Sequence, residues 1–425
     1  LAKFLNASVY VSDIDKNSKN KKILIKEKIP FELGEHSEKC IKTDLVIISP
    51  GINPKNEFIA KIKSKNIPIV SEIEFASWFT KSPIIGITGS NGKSTVVKLV
   101  NNILLNKYKN SLIGGNIGIS FSENVLKEKT NELNNVIHIL EISSFQLENI
   151  YLFTPHLCCL LNITEDHLDR YIDENDYFNT KIKISKNIKN SANIIFNYDD
   201  KKLNNLFTKI KNTTPFSITN KISKLKIKGN KIFSKNNDLI VNQSQTKLIG
   251  KHNFYNIVAS IIIAKKFKIS NQIISKSLTN FTPLEHRMEK VNINSKITFI
   301  NDSKGTNIFS TISAIESFKN DIILILGGYS NEKINKSRIL KSLNKDKIKN
   351  VICYGNVGPI LKSLFKDIKP TLYYKAFEKA ILNSIKIAKE GDVVLLSPAF
   401  KSFDQFKNFE ERGNKFKEIV KNYYA

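Results

Sequence analysis

Short apolar runs of strand length recur along this chain, and most of them run directly into Gly, Ser, Pro or an acidic residue. Segments with helical spacing of apolar residues separate the runs, and this alternation is typical of a parallel sheet built from βαβ units. Ligands of such sheets bind just beyond the carboxyl ends of the strands. The pattern therefore predicts an α/β fold whose candidate site residues directly follow the strands.

The runs fall into three groups, which predict three α/β domains at residues 1–72, 73–283 and 284–425. The first and last are predicted to be Rossmann-like. The first is expected to be truncated at its front, because the chain begins at Leu1 and a strand with its Gly-rich turn is expected before that residue. The predicted strands are 7–13 and 44–49, then 83–88, 136–142, 157–163 and 193–197, and finally 297–300, 322–326, 351–354 and 393–396.

Helices and one antiparallel segment are predicted between these strands. Residues 1–7 have the pattern of the end of an amphipathic helix, and apolar spacing predicts helices from residue 94 and over 253–267. Short β runs between 221 and 249 surround a Gly229-Asn230 turn signal. They predict a small antiparallel addition to the central domain.

The chain is strongly basic, because 66 Lys and Arg against 39 Asp and Glu give a net charge of +27. Only four of the cations are arginines, whereas proteins that recognise nucleic acid rely on the planar guanidinium group of arginine, which makes paired hydrogen bonds. The scattered lysines indicate a solvated surface, and we expect no nucleic-acid partner. In so lysine-rich a chain, a retained arginine implies a geometry that lysine cannot supply. The arginines are Arg170, Arg287, Arg338 and Arg412.

The apolar runs and the cysteines limit where in the cell the protein is expected. No uninterrupted apolar run approaches the roughly 18 residues of a membrane span, so we expect no membrane association. The four cysteines show no metal-ligand spacing, and Cys158 and Cys159 are adjacent in a predicted buried strand. We therefore expect free thiols and a cytoplasmic protein.

The strongest local signal is a glycine-rich turn between an apolar strand and a helix, Gly86-Ile87-Thr88-Gly89-Ser90-Asn91-Gly92-Lys93-Ser94. In a phosphate loop, backbone N–H groups and the helix N-terminus hold a phosphate, Lys93 neutralises the outer phosphates, and Ser94 offers a hydroxyl to Mg²⁺. Ile87 stands where the common pattern has glycine, so this is a variant loop, and an ordinary Gly-rich turn is the alternative. The predicted ATP contacts are Gly89, Ser90, Asn91, Gly92, Lys93, Ser94 and Thr95.

Acidic residues follow the next strands. Glu141 is placed for Mg²⁺, which prefers oxygen ligands, but Ser143 or Ser144 could equally cap a helix there. The segment 162–170 holds three acids, His167 and Arg170, although acids after a threonine are also typical of a helix start. Further along, His252-Asn253 could be a helix cap or a set of ligand contacts, and His286-Arg287 is better placed to reach a nucleotide between domains.

Taken together, these motifs resemble those of the Mur ligases, the ATP-dependent amide-bond ligases of peptidoglycan precursor synthesis. The segments that carry the resemblance are the variant loop, 141–148, 162–170, 251–256 and 286–287. Three more segments, 143–148, 301–307 and 397–413, resemble the D-glutamate-adding branch of the family. The likeness runs from about residue 49 to 419, with the motifs in order.

The resemblance implies a reaction and its metal ions. ATP phosphorylates the terminal carboxylate of UDP-N-acetylmuramoyl-L-alanine, and the amine of D-glutamate attacks the acyl phosphate. Lys93 would stabilise the transferring phosphate, Ser94 and Glu141 would hold Mg²⁺, and His167 would bind a second metal ion. Lys181 matches the carbamylated lysine of the family, although the residues alone do not distinguish it from Lys183 or Lys186.

The resemblance also implies three sets of substrate contacts, in a protein expected to be a monomer. The UDP-substrate contacts are Asp13, Ser49, Gly51, Asn116, Ser143 and Gln146; the further nucleotide contacts are Asn253, Asn256, Arg287 and Asp302; the D-glutamate contacts are Lys304, Thr306, Ser402 and Phe409. In one departure, Asn331 stands near the place where relatives have a lysine for the D-glutamate side chain, with Lys333 two residues further on. What anchors that side chain is left open.

Three alternatives remain at this point. One is another ligase of the superfamily, such as a folylpolyglutamate synthase or a diaminopimelate- or lysine-adding ligase, although the Asp-Asn-Pro-Arg signature of the latter is absent. Another is a basic P-loop ATPase that acts on nucleic acid. The last is a regulatory protein that binds nucleotide without catalysis.

Overall fold

A computed structural model describes residues 1–164, 170–222, 225–330, 334–343 and 345–425. The chain forms two compact units. One comprises Leu1–Lys224 with Ala259–Ile274, and the other comprises Leu225–Val258 with Ser275–Ala425. The expected domain boundaries after residues 72 and 283 stay predictions.

The N-terminal segment contains two small parallel pairs of strands, β1 with β2 and β3 with β4. Its elements are β1 (Val11–Asp13), α1 (Lys21–Lys26), β2 (Phe31–Leu33), β3 (Val46–Ile48), α2 (Glu57–Ser64), β4 (Ile69–Ser71) and α3 (Glu72–Ser77). The two predicted strands are present in shorter form. The predicted helix end over residues 1–7 is wrong, because these residues form turns and Asn6 adopts a left-handed φ of +64° that an α-helix cannot continue through.

The central sheet is entirely parallel, in the order β10-β9-β8-β5-β7-β6. Its elements are β5 (Ile84–Thr88), α4 (Lys93–Leu104), β6 (Ser111–Gly115), α5 (Phe121–Thr130), β7 (Ile137–Glu141), α6 (Ser144–Leu147), β8 (Leu157–Leu160), α7 (Glu174–Ile182), β9 (Ile194–Asn197), α8 (Lys201–Phe207) and β10 (Thr214–Phe216). Strands β5, β7, β8 and β9 are buried at every residue, as expected of a sheet covered on both faces. The chain crosses to one side of β5 for β6 and to the other for β8, so the ends of β5 and β7 border the crevice where such sheets bind ligands.

The predicted antiparallel addition is present. It consists of β11 (Lys226–Lys228), β12 (Lys231–Phe233) and β13 (Leu239–Asn242), and Gly229 turns the first hairpin with a φ of +56°. Two helices follow, α9 (Lys251–Lys266) and α10 (Asn271–Thr279). Helix α9 confirms the helix predicted over 253–267.

The C-terminal sheet has the order β14-β15-β19-β16-β17-β18, and only β14 runs antiparallel to its neighbour. Its elements are β14 (Glu289–Lys290), β15 (Thr298–Asn301), α11 (Ile308–Glu316), β16 (Ile322–Gly327), α12 (Lys336–Leu343), β17 (Ile348–Tyr354), α13 (Gly358–Phe365), β18 (Thr371–Tyr374), α14 (Phe377–Ile387), β19 (Val393–Ala399) and α15 (Phe409–Tyr423). One apolar cluster covers each face of the sheet. The predicted α/β class, with parallel sheets, is confirmed.

Short 3-10 helices occur at Glu38–Ile41, Lys183–Ser185, Ser191–Asn193 and Gln243–Gln245. Within the described ranges, no helix has both the length and the apolar character that crossing a membrane requires. All four cysteines are free thiols, and Cys158 and Cys159 are buried in β8, as predicted.

Candidate active site

The glycine-rich turn leaves buried β5 and enters α4 directly. Gly92 is the N-cap of α4 with a left-handed φ of +88°, which glycine adopts without strain. Gly89 packs so closely against the segment that follows β8 that an added Cβ would lie 3.1 Å from Leu161 Cβ. The helix predicted from Ser94 begins one residue earlier, at Lys93. The N-terminus of α4 therefore faces the end of β5, as a phosphate loop requires.

Asn162, directly after β8, fixes the shape of this loop. The backbone N–H of Ser90 donates to Asn162 O and that of Asn91 to Asn162 Oδ1, both at 2.8 Å, and Asn162 Nδ2 donates back to Asn91 O at 3.0 Å. Ser90 Oγ lies 3.1 Å from the Tyr177 hydroxyl. Sequence reasoning assigned no role to Asn162 or Tyr177. The signal for Asn162 was its place at the end of a strand.

Two lysines meet at the carbonyl oxygen of Gly89. Lys93 Nζ donates to it at 2.6 Å and to Ser90 O at 3.0 Å, and Lys181 Nζ donates to it at 3.2 Å. Lys181 is 2% exposed, and its ammonium group lies 4.8 Å from the ring centroid of Tyr177. The arrangement concentrates positive charge where a phosphate would bind.

Geometry separates the three lysines that the sequence could not distinguish. Only Lys181 among them is buried against the loop; Lys183 Nζ donates to Glu148 O at 3.2 Å, and Lys186 is exposed. His167 and its acidic neighbours Glu165, Asp166 and Asp169 lie outside the described residues.

Glu141 ends β7 beside β5, in register with Ile87. Its side chain is buried, and Oε1 accepts a hydrogen bond from Asn116 Nδ2 at 2.7 Å. Its Oε2 is buried without a hydrogen-bond partner among the described residues, a condition that a bound cation would relieve. Ser94 is buried at the start of α4. The donor set of one carboxylate oxygen and one hydroxyl therefore fits Mg²⁺ held jointly by protein, phosphate and water.

Metal binding here depends on those additional ligands. Within the part of the chain that the structure describes, no group of three or more His, Cys, Asp or Glu side chains is arranged to hold a metal ion.

Gly115 and Asn116 hold the main chain of Glu141. Gly115 has a φ of +93°, and an added Cβ would lie 2.3 Å from Glu141 O. Asn116 N donates to that same oxygen at 2.8 Å. Asn116 thus contacts both the backbone and the carboxylate of Glu141.

Ser143 and Gln146 form the capping box of α6. Ser143 Oγ accepts from Gln146 N at 3.3 Å, and Gln146 Oε1 accepts from Ser143 N at 3.0 Å. The helix-cap interpretation of this segment is therefore confirmed for Ser143. Each side chain shapes the loop that follows β7.

The remaining UDP-substrate candidates lie in the N-terminal segment. Asp13 ends β1, where the backbone N–H of Asp15 donates to its carboxylate at 3.0 Å and lowers its pKa. Ser49, directly after β3, lines an open cleft together with Phe145 and Arg170 from the central-sheet region. Gly51 follows in the same loop. The structure thus brings Ser49 near α6 and places Asp13 on the separate β1–β2 pair.

In the second unit, Asn253 and Asn256 are three residues apart and lie on one face of α9, near its start. Asn253 Nδ2 donates to Ile249 O at 2.8 Å, and Asn256 Nδ2 donates to Asn253 Oδ1 at 3.1 Å. Desolvation of the partly buried His252 ring lowers its pKa to about 4, so that this neighbouring side chain is neutral at pH 7.

Asp302 follows β15 and is buried. Burial raises its pKa to about 7, against the opposing effects of a 2.7 Å hydrogen bond from Ser397 Oγ and of the Arg287 and Arg412 charges. His286 is also buried with a φ of +62°, and Asn301 Nδ2 lies 3.0 Å from its Nδ1. Burial lowers the pKa of His286.

Three of the D-glutamate candidates lie on loops at the carboxyl ends of β15 and β19, and Phe409 is the first residue of α15. The Lys304 ammonium group lies 4.0 Å from the ring centroid of Phe409, and Thr306 is in the same loop as Lys304. Ser402 is buried just after β19. Asn331 and Lys333, which bear on the side-chain anchor, lie outside the described residues.

Arg412 connects these loops. Sequence analysis assigned no role to Arg412, although the scarcity of arginine in this chain was a signal that the residue is needed. It is fully buried; Nε donates to Ser303 Oγ at 2.9 Å, Nη2 to Ser303 O at 2.7 Å, and Nη1 to Phe400 O and the Tyr354 hydroxyl at 3.1 Å each. Only a guanidinium group can serve so many acceptors in one plane.

Comparisons with known proteins agree with this geometry. The chain matches three family models, described as MurD N-terminal domain (residues 1–58), Mur ligase middle domain (87–264) and Mur ligase, glutamate ligase domain (286–400). It is 39% identical to the UDP-N-acetylmuramoylalanine--D-glutamate ligase of Christiangramia forsetii over 99% of this chain and 96% of the relative. The enzyme of the same name from Clostridioides difficile is 35% identical over 98% and 94%.

A solved structure shares the fold. The MurF ligase of Thermotoga maritima, in complex with ADP, matches with a TM-score of 0.64 at 16% identity, over 97% of this chain and 94% of that one.

Proposed function

Since this chain belongs to the Mur ligase family, we infer that it is an ATP-dependent ligase that joins D-glutamate to UDP-N-acetylmuramoyl-L-alanine in peptidoglycan precursor synthesis. The observation that carries this function is the convergence of Lys93 and Lys181 on Gly89 O in the phosphate loop, with Glu141 on the neighbouring strand β7 offering an oxygen that has no hydrogen-bond partner among the described residues. Cationic groups at the end of β5 and a carboxylate at the end of the adjacent strand β7 are suited to phosphoryl transfer.

The proposed chemistry has two steps. The terminal carboxylate of UDP-N-acetylmuramoyl-L-alanine attacks the γ-phosphorus of ATP, which gives an acyl phosphate and ADP. The amine of D-glutamate then attacks the acyl carbon, the amide bond forms, and phosphate leaves. The protein contributes position and charge stabilisation more than covalent chemistry. Lys93 is proposed to stabilise the transferring phosphoryl group, whose oxygens carry the developing charge.

Ser94 and Glu141 are proposed to hold the Mg²⁺ that accompanies ATP. When bound, this ion neutralises phosphate charge. Asn116 holds Glu141 Oε1, so that Oε2 is directed away from that hydrogen bond and is available to a cation. The loop residues 89–92 and Thr95 are proposed to contact the phosphates through the α4 N-terminus.

Lys181 is proposed to carry a carbamate, with His167 as a second ligand of a further metal ion. The ammonium groups of Lys181 and Lys93 share one acceptor, so their like charges repel. Addition of CO₂ to the neutral Lys181 amine, with loss of one proton, would replace a cation with anionic oxygen. In ¹³C NMR of protein equilibrated with labelled bicarbonate, a carbamate resonance should be present and should vanish in Lys181→Arg. Its absence from the wild-type spectrum would contradict the assignment.

The other assignments follow the residues matched to the family. Asp13, Ser49, Gly51, Asn116, Ser143 and Gln146 are proposed to bind the UDP substrate; Asn253, Asn256, Arg287 and Asp302 are proposed to contact nucleotide; Lys304, Thr306, Ser402 and Phe409 are proposed to bind D-glutamate. We propose a cytoplasmic monomer. Sedimentation at assay concentrations tests the monomer, and a dimer mass would contradict it.

Phosphate release tests the proposed function. The protein is incubated with ATP, Mg²⁺ and UDP-N-acetylmuramoyl-L-alanine, and D-glutamate, L-glutamate, diaminopimelate or L-alanine is added in parallel reactions. D-Glutamate should give the fastest release, with the amide product visible by mass spectrometry. A preference for any other amino acid would show that the substrate assignment is wrong.

A further inference from the structure

Arg170 and Glu148 belong to the strand-end motifs, but the proposed function gives them no role. They form an ion pair whose side chains are only 10% and 12% exposed. Arg170 Nε donates to Glu148 Oε1 at 2.7 Å and Nη2 to Oε2 at 2.6 Å. This parallel two-bond geometry is available to arginine and not to lysine, which accounts for a retained arginine at this position.

The same guanidinium group reaches two other segments. Nη2 donates to the carbonyl oxygen of Ile52 at 2.9 Å, in the loop between β3 and α2. The guanidinium carbon lies 4.2 Å from the ring centroid of Phe145 in α6. The Tyr171 hydroxyl adds a 3.0 Å bond to Glu148 Oε1 and helps to hold the carboxylate. One side chain therefore connects the β3–α2 loop with α6.

Those two segments carry most of the residues proposed to bind the UDP substrate. Ser49 and Gly51 precede Ile52, and Ser143 and Gln146 flank Phe145. Both segments and the ion pair line the same cleft, with Ser49, Pro50, Ile52, Phe145, Glu148 and Arg170 among its walls. A change in the ion pair would alter both sides of that cleft.

We propose that Arg170, oriented by Glu148, is a positioning residue that holds the β3–α2 loop against α6 and preforms the UDP-substrate site. The inference rests on the proposed function, since it uses the substrate assigned there. A loop that must be ordered during binding lowers affinity, because the lost freedom opposes association. Loss of the ion pair should therefore weaken binding of the UDP substrate and leave the use of ATP unchanged.

The test measures binding and turnover separately in the full chain. Calorimetric titration of UDP-N-acetylmuramoyl-L-alanine, without ATP, should give a Kd about tenfold higher in Arg170→Lys than in the wild type. The KM for this substrate should rise similarly, whereas kcat and the KM for ATP stay within about twofold. Glu148→Gln should have the same effect, and the double variant should lose much less than the sum of the two, because both act through one contact.

A matched control is Lys202→Met, which removes a 2.8 Å ion pair with Glu174 at the surface of the same unit. Its Kd for the UDP substrate should equal that of the wild type. Equal binding by Arg170→Lys and the wild type would overturn the inference and leave the proposed function standing. Failure of the wild-type chain to bind the UDP substrate would instead refute the proposed function.

A milder variant keeps the inference testable if Arg170→Lys does not fold. Tyr171→Phe removes one hydrogen bond to Glu148 and leaves the guanidinium in place. It should fold, as judged by its circular dichroism melting curve, and should raise the Kd by about twofold. An unchanged Kd in this variant would also count against the positioning role.

Discussion

At the residue scale, two lysine ammonium groups converge on the phosphate loop. Lys93 and Lys181 come from different helices, yet both donate to Gly89 O. Glu141 lies on the neighbouring strand, with one oxygen held by Asn116 and the other without a partner among the described residues. Positive charge therefore lies at the loop after β5 and negative charge at the end of the adjacent strand β7, and an anionic phosphate with its cation would neutralise both.

Lys93→Ala should lower kcat by about a hundredfold or more, the scale expected when one preorganised electrostatic donor is removed. The side chain folds over the loop, so its loss should affect turnover more than stability. Lys98→Ala is the matched control, because Lys98 lies on the exposed face of the same helix. Phosphate release under saturating substrates provides the measurement. Near-normal turnover in Lys93→Ala would remove this residue from the mechanism.

Asp302 should make stability depend on pH. Its pKa is raised by burial to about 7, so between roughly pH 4 and 7 the folded state holds a proton that the unfolded state releases. Stability from this group is therefore greatest at the acidic end of the window and is lost as the pH rises through 7. Asp302→Asn does not titrate, so its stability relative to the wild type should increase from pH 4.5 to pH 7.5.

Urea midpoints measured across that range test this expectation. Asp367→Asn serves as the control, because Asp367 is exposed on the surface of the same unit. Its midpoints should run parallel to those of the wild type. Parallel behaviour of Asp302→Asn would show that the buried carboxyl does not couple folding to pH in this window.

At the scale of elements, the edge formed by β6, β7 and β5 sets the position of Glu141. The chain leaves β6 through Gly115, whose φ of +93° lets Asn116 turn back onto β7. Loops at the other sheet are held in a comparable way, since Arg412 joins the segments that follow β15 and β19. In both sheets, a residue from another element holds the segment at the strand end: Asn116 holds the end of β7, and Arg412 holds the segments after β15 and β19.

Gly115→Ala should destabilise the protein by about 3 kcal/mol or more, because left-handed strain is added to overpacking. The new Cβ would lie 2.3 Å from Glu141 O, a backbone atom that cannot move without shifting β7. Gly229→Ala is the control: it has a φ of +56° but no neighbour within 4 Å of an added Cβ. It should cost only about 1–2 kcal/mol. Equal denaturant midpoints for the two variants would contradict the crowding argument.

At the scale of the whole molecule, the charge of +27 is carried almost entirely by lysine. Arg170 and Arg412 are committed to hydrogen bonds inside the protein, and Arg338 packs against the ring of Phe309. The excess positive charge therefore produces a diffuse electrostatic field, and few guanidinium groups remain for recognising bases or phosphates.

Nucleic acid should bind weakly and without effect on catalysis. Binding of single-stranded DNA or RNA should fall steeply between about 50 and 200 mM salt, as counterion release dictates. Phosphate release from Mg²⁺-ATP should be the same with and without nucleic acid at the higher salt concentration. Stimulated hydrolysis would revive the interpretation of the chain as a nucleic-acid-dependent ATPase.

The fold was predictable wherever local pattern decides structure. Buried β5 and its glycine turn were readable because apolar runs, glycine and a following helix are all encoded within a few residues. The predicted strand over 157–163 ended instead at Leu160, because Asn162 turns away to hold the phosphate loop. Residues 1–7 have a helix-like pattern, but they are too few to form a helix without tertiary support.

By itself, the sequence determined the α/β class, the phosphate loop and the family, because glycine geometry, strand length and motif order are local properties. Only the tertiary structure decided that Lys181 faces the loop while Lys183 contacts Glu148 O. It also decided that Arg170 connects the β3–α2 loop with α6. Burial and distance arise from segments far apart in the chain, and no local pattern records which of several similar side chains will meet.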